Sequence, residues 1–148
     1  MDRIVVGVDG SAAGEAALRW ALREASVRQA TLVAVHTWTF PYLADLAYLA
    51  NHGVDHQELA AEANDRLAEA LAAAGPIPSG VTVEELVCEG SPAGVLIDAA
   101  HDATMLVVGS RGLGGFGGLL LGSVSQQCAH HAPCPVVIVR SGTTTSAA

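Results

Sequence analysis

Lysine is absent from the 148 residues; all seven basic side chains are arginine, set against fifteen Asp and Glu for a formal charge of -8. Any chemistry that depends on a lysine amine is thereby excluded, including a Walker A loop, whose GxxxxGK[ST] pattern requires one. The acidic balance argues against a nucleic-acid backbone as partner. Cysteine is scarce: Cys88, Cys128 and Cys134 are odd in number and lack CxxC spacing, which indicates neither a disulfide framework nor a zinc ribbon and leaves thiols in or near the core. No apolar run is long enough to span a membrane, and MDRIVVGVDG carries no basic leader before a signal-like segment. The expectation is a soluble cytoplasmic protein with no membrane partner. No internal repeat is apparent.

What is present is a 51% hydrophobic chain of one domain's length, enough for one sizeable core. Residues 3–8 (RIVVGV) form a short β-rich run ending at Asp9-Gly10, after which Ser11 can cap a helix over AAGEAALRWALREASV. Residues 30–35 (ATLVAV) are apolar on both parities, as a strand covered on both faces must be. From Gln57 to Ala74 a helical stripe of Leu59, Ala63, Leu67 and Leu71 stops at Gly75-Pro76. Residues 81–87 alternate in part and predict a third strand. Ser91 can cap the next helix with Pro92 in its first turn. Residues 104–108 then give strand four, 123–132 a helix, and 136–140 the last strand. The order βαβαβαβαβ predicts a single α/β domain, residues 1–140: an open, doubly wound, mainly parallel five-stranded sheet with helices on both faces. The tail, residues 141–148 (SGTTTSAA), is small and polar, and is expected to be flexible.

Such sheets bind ligands at the carboxyl ends of their strands. Here those ends deliver Asp9, Gly10 and Ser11, then His36 and Thr37, then Glu89 and Gly90, and finally GSRGLGGFGGLLLGSV, which holds seven glycines and one arginine. Gly112, Gly114 and Gly117 match GxGxxG, but a dinucleotide site also needs an acidic residue about 20 positions on, and none follows Asp102. A second pattern fits better. Gly109-x2-Gly112-x9-Gly122-Ser123 lets the strand-exit backbone curl around a phosphate and ends at a helix start, where free N–H groups and the helix dipole favour an anion.

This pattern resembles the signature of the ATP-binding class of the universal stress protein family. The resemblance runs from IVVGVDGS through EGSPAGVLIDAA and TMLVVGSRG to APCPVVIVR. It implies strand order 3-2-1-4-5, phosphate contacts from Gly109, Gly112, Gly122 and Ser123, a ribose contact from Asp9, and adenine held by backbone at Thr37 or its neighbour His36. It further implies ATP, with Mg2+, as ligand and a homodimer formed through the last strand. An uncharged apolar edge such as Val136–Val139 suits pairing on physical grounds as well.

The residues themselves leave alternatives open. Asp9 can shape a turn through its own backbone or contact a ligand. Arg111 can clamp phosphate, project into water or pair with Glu89. Ser11 and Ser91 read as caps before ligand contacts, and His36 as a base-stacking group or an ordered strand-end histidine. His130-His131, roughly 100° apart on a helix, do not supply two metal ligands on one face. Nothing resembles a Walker B or kinase segment; Asp9 or Glu89 can reach Mg2+ through water, with neither assignment compelled. The expectation is therefore a nucleotide-dependent regulatory or stress-response protein with at most slow ATP hydrolysis. The alternatives are an interaction module of the same fold that does not bind nucleotide and, by fold type alone, an enzyme acting on a nucleotide-like substrate. The aromatic-rich residues 37–56 can cover adenine, line a dimer interface or meet an unidentified protein partner.

Overall fold

A computed structural model describes residues 1–40, 53, 55–112 and 121–141. Most of the expected 37–56 loop, the interior of the glycine segment with Gly114 and Gly117, and tail residues 142–148 lie outside the described residues. The elements are β1 (Arg3–Gly7), α1 (Ala12–Arg28), β2 (Thr31–Trp38), α2 (His56–Ala73), β3 (Thr82–Glu89), α3 (Pro92–Ala99) followed by a 3-10 turn, β4 (Met105–Gly109), α4 (Ser123–His131) and β5 (Val136–Val139). The five strands pair in parallel in the order β3-β2-β1-β4-β5, the expected doubly wound topology.

Strand alternation sorts the core into two layers. Ile4, Val6, Leu32, Ala34, Met105 and Val107 meet Leu18, Leu22 and the alanines of α1, together with Leu67 of α2. Val5, Val33, Val35, Leu106 and Val108 meet Leu96 of α3 and Cys128 of α4 on the other side. Right-handed crossovers force this division. The chain steps one way from β1 to β3 and the opposite way from β3 through β4 to β5, so the helices change face with the direction. Ala17, Ala21 and Ala25 are fully buried and let α1 lie close to the sheet. The helix stops at Gln29, which takes a left-handed φ of 52°.

The strand boundary that departs furthest from the expectation is the end of β2. β2 continues through His36 and Thr37 to Trp38, because β3 pairs with it as far as Glu89. His36 and Thr37 are thus strand residues on opposite sides of the sheet, not successive residues of a loop. The reversal of strand order falls between β1 and β4, whose carboxyl ends send the chain in opposite directions. That divergence opens the crevice. No helix among the described residues is long and apolar enough to cross a membrane.

Candidate functional site

The turn after β1 is held by side chains. Asp9 Oδ1 accepts from the Ser11 amide at 3.0 Å and from the Ser11 hydroxyl at 2.5 Å, while Ser11 Oγ in turn accepts from the Gly14 amide at 3.0 Å. This network caps α1 and fixes the Asp9 carboxylate. The other oxygen, Oδ2, lies against Gly112, where a Cβ would come within 2.7 Å of it. Asp9 therefore shapes the turn, as one reading expected, and at the same time presents an oxygen beside the glycine loop.

Across the crevice the wall is built from backbone. Gly109 ends β4, and a Cβ there would meet the Ala13 backbone at 2.7 Å, so this glycine permits α1 to approach the strand. Gly122 packs against the Arg111 and Gly112 backbone, and its amide donates to the Ser110 carbonyl at 2.7 Å. Gly122 is also the N-cap of α4, and among the described residues no side chain caps that helix. Ser123 is the first residue of α4, as expected.

Between these walls lies a cavity of ≈ 630 Å³, within the usual range for small-molecule sites. It collects seven of the eight expected residues: Asp9, Thr37, Gly109, Arg111, Gly112, Gly122 and Ser123. His36 is not among them. It is in phase with Leu32 and Ala34, which face the α1–α2 layer, is only 9% exposed, and sets Nδ1 2.7 Å from the Val8 carbonyl. Thr37, one residue on, is in phase with Val33 and Val35 and reaches the cavity. Glu89 and Gly90 lie outside the lining, and Glu89 Oε2 pairs with His56 Nε2 at 2.9 Å.

Among the described residues of the lining, Arg111 is the one cationic side chain and Asp9 the one anionic side chain. The chain beyond Asp102 contains no Asp or Glu, so this wall of the crevice presents glycine backbone, the positive end of α4 and Arg111 together. The residue overlooked by sequence reasoning is Ser125. It is 2% exposed, lines the cavity, and places Oγ 2.9 Å from the Ser110 carbonyl and 3.0 Å from that of Gly122. Its position three before the buried Cys128, on the inner face of α4, was the available signal. Burial raises the Cys128 thiol from 9.0 to about 11, with Cys134 adding to the effect, and all three cysteines are free.

The cavity thus combines a wall of glycine backbone, Arg111 and the start of α4 with a partly apolar surface of Val8, Val35, Leu96 and Val108. The universal stress protein family model matches residues 1–140 of the chain. The chain belongs to the universal stress protein family. It is 38% identical over 141 residues to a universal stress protein of Mycobacterium tuberculosis, an alignment that covers 95% of this chain and 46% of the relative. The chain thus spans about half the length of the curated relatives it matches. Among solved structures it resembles universal stress protein UspA from Lactobacillus plantarum, with a TM-score of 0.79 at 24% identity over 94% of this chain and 97% of that one. A universal stress protein in complex with cAMP matches with a TM-score of 0.61 at 29% identity over 95% of this chain and 98% of that one. That relative was solved with an adenine nucleotide, cAMP.

Proposed function

We propose that this chain binds an adenine nucleotide, ATP with Mg2+, in the cavity between β1 and β4, and that occupancy changes its conformation or choice of partner in a stress response. The observation that carries the reading is the convergence of the glycine signature, Arg111 and the uncapped start of α4 on the same cavity as Asp9 and Thr37. The related protein in complex with cAMP supports the adenine-nucleotide class. Phosphates would lie against Gly112, Gly122 and Ser123, with Asp9 on the ribose and Thr37 toward the base. Mg2+ is compatible with this arrangement: it is held mostly by phosphate oxygens and water, and Asp9 can reach it through a water from Oδ2.

Binding without rapid turnover fits the lining better than catalysis does. Its described residues include no His, Cys or Lys, and the only carboxylate, Asp9, is engaged by Ser11. Phosphoryl transfer needs a positioned water or acceptor as well as a held nucleotide. Calorimetry on protein stripped of nucleotide is the test: saturable Mg-ATP binding is expected, with phosphate release slow or undetectable in a parallel assay. An absence of saturable binding overturns the proposal and favours the interaction module.

Homodimerisation through β5 belongs to the same proposal. β5 is an edge strand whose Val136, Val137 and Ile138 are only half-buried, an apolar edge that a second copy would cover. Native mass spectrometry should show twice the 15.0 kDa chain mass. A monomer at micromolar concentration would count against pairing.

A further inference from the structure

We propose that Ser125 is a positioning residue for the phosphate end of the cavity, setting the gap between the β4 exit and the start of α4. This rests on the nucleotide-binding reading above. The two walls of that end, residues 109–112 and 122–125, are joined in sequence by a nine-residue stretch, LGGFGGLLL, rich in glycine. Noncovalent contacts among the described residues hold these two ends together. Those contacts converge on Ser110. Its amide donates to the Val139 carbonyl at 2.8 Å, bolting it to β5, and its carbonyl accepts from the Gly122 amide at 2.7 Å. The Ser125 hydroxyl, one turn into the helix, donates its single proton to the Ser110 and Gly122 carbonyls at 2.9 and 3.0 Å.

Two attachments to one fixed carbonyl define the direction of the first turn of α4, whereas the Gly122 amide alone would act as a pivot. The amides of Ser123, Val124 and Ser125 take their aim from that direction, and they are the donors a phosphate would meet. Burying a hydroxyl beside Cys128 is costly unless it is hydrogen-bonded, and this bond is where it is used. The nucleoside end is built differently. Asp9 and Thr37 sit at the ends of β1 and β2, and their places do not depend on Ser125.

The proposal predicts a split between ligands. In the full chain carrying Ser125→Ala, the Kd for Mg-ATP should rise about tenfold, while adenosine, read by amide chemical-shift titration to catch weak binding, changes less than twofold. Ser125→Thr, which keeps the hydroxyl, should restore ATP affinity. Should the alanine variant fail to fold, the near-isosteric Ser125→Cys takes its place with the same expected split. Equal losses for ATP and adenosine, or no loss for either, overturn the positioning role while leaving nucleotide binding intact. Wild-type protein that binds neither ligand overturns the underlying reading instead.

Discussion

Three of the four described helices begin under a cap supplied by their own N-cap side chain, and the fourth does not. Ser11 accepts from Gly14 at 3.0 Å, Asp55 from Gln57 at 2.9 Å and Ser91 from Gly94 at 3.3 Å, whereas α4 starts at Gly122 with no side-chain partner. A glycine in place of a serine or aspartate cap costs only a few tenths of a kcal/mol, so the omission is cheap. What it leaves is a set of donors at the positive end of a helix, facing the cavity. The contrast separates helix starts that satisfy themselves from the one that, in the proposed function, a ligand meets.

The most direct way to break the contrast is to cap α4. Gly122→Asp would place a carboxylate where a phosphate is proposed to lie, and the backbone there, φ -76° and ψ 170°, accepts any residue. Its Cβ would sit 3.2 Å from Arg111 Cα, so a small local shift accompanies it. Mg-ATP affinity should fall by roughly a hundredfold or more, since the variant both consumes the donors and adds like charge. Affinity within threefold of wild type by calorimetry would remove α4 from the site. A smaller effect is expected from Gly112→Ala, whose Cβ would press on Asp9 Oδ2 at 2.7 Å and push the carboxylate from its place. About tenfold weaker binding is predicted, with little change in thermal midpoint, because the carboxylate is exposed and can yield.

Much of this division was legible in the sequence because it is written in local chemistry. Ser11 and Ser91 announce their helices, Pro92 confirms one of them, and β1 and β4 show the apolar residues on both parities that a central parallel strand requires. The glycine signature likewise marked residues that line the cavity. It did not reveal the separate tasks of its members, since the contact of Gly109 with Ala13 and of Gly112 with Asp9 joins residues about a hundred positions apart. The end of β2 was misplaced for a similar reason. His36, Thr37 and Trp38 look like the start of a loop until β3 pairs beside them, and once they are strand the period of two sends Thr37 to the cavity and His36 away from it. Ser125 has no motif of its own; its meaning depends on a carbonyl fifteen residues earlier.

The self-capped helices sharpen the comparison from the other side. Asp55→Ala removes the cap of α2, which lies in the layer away from the cavity, and should lower stability by about 1 kcal/mol in urea unfolding with ATP affinity unchanged. A fall in affinity there would mean that helix starts in general, and not the open one in particular, govern the site.

The smallest effect concerns the inner face of α4 at Cys128, which is buried against the sheet. Cys128 is fully buried, and desolvation raises its thiol from 9.0 to about 11, so the native state holds this proton after the unfolded chain has released it. Stability from this source is complete below pH 9 and is lost as the pH rises toward 11, because in that window the unfolded state binds fewer protons than the native one. The thermal midpoint should therefore decline between pH 9 and 11, and the decline should be shallower in Cys128→Ala, whose lower starting stability is measured at pH 7. An identical slope in both proteins would show that the inner face of α4 admits water as readily as its first turn.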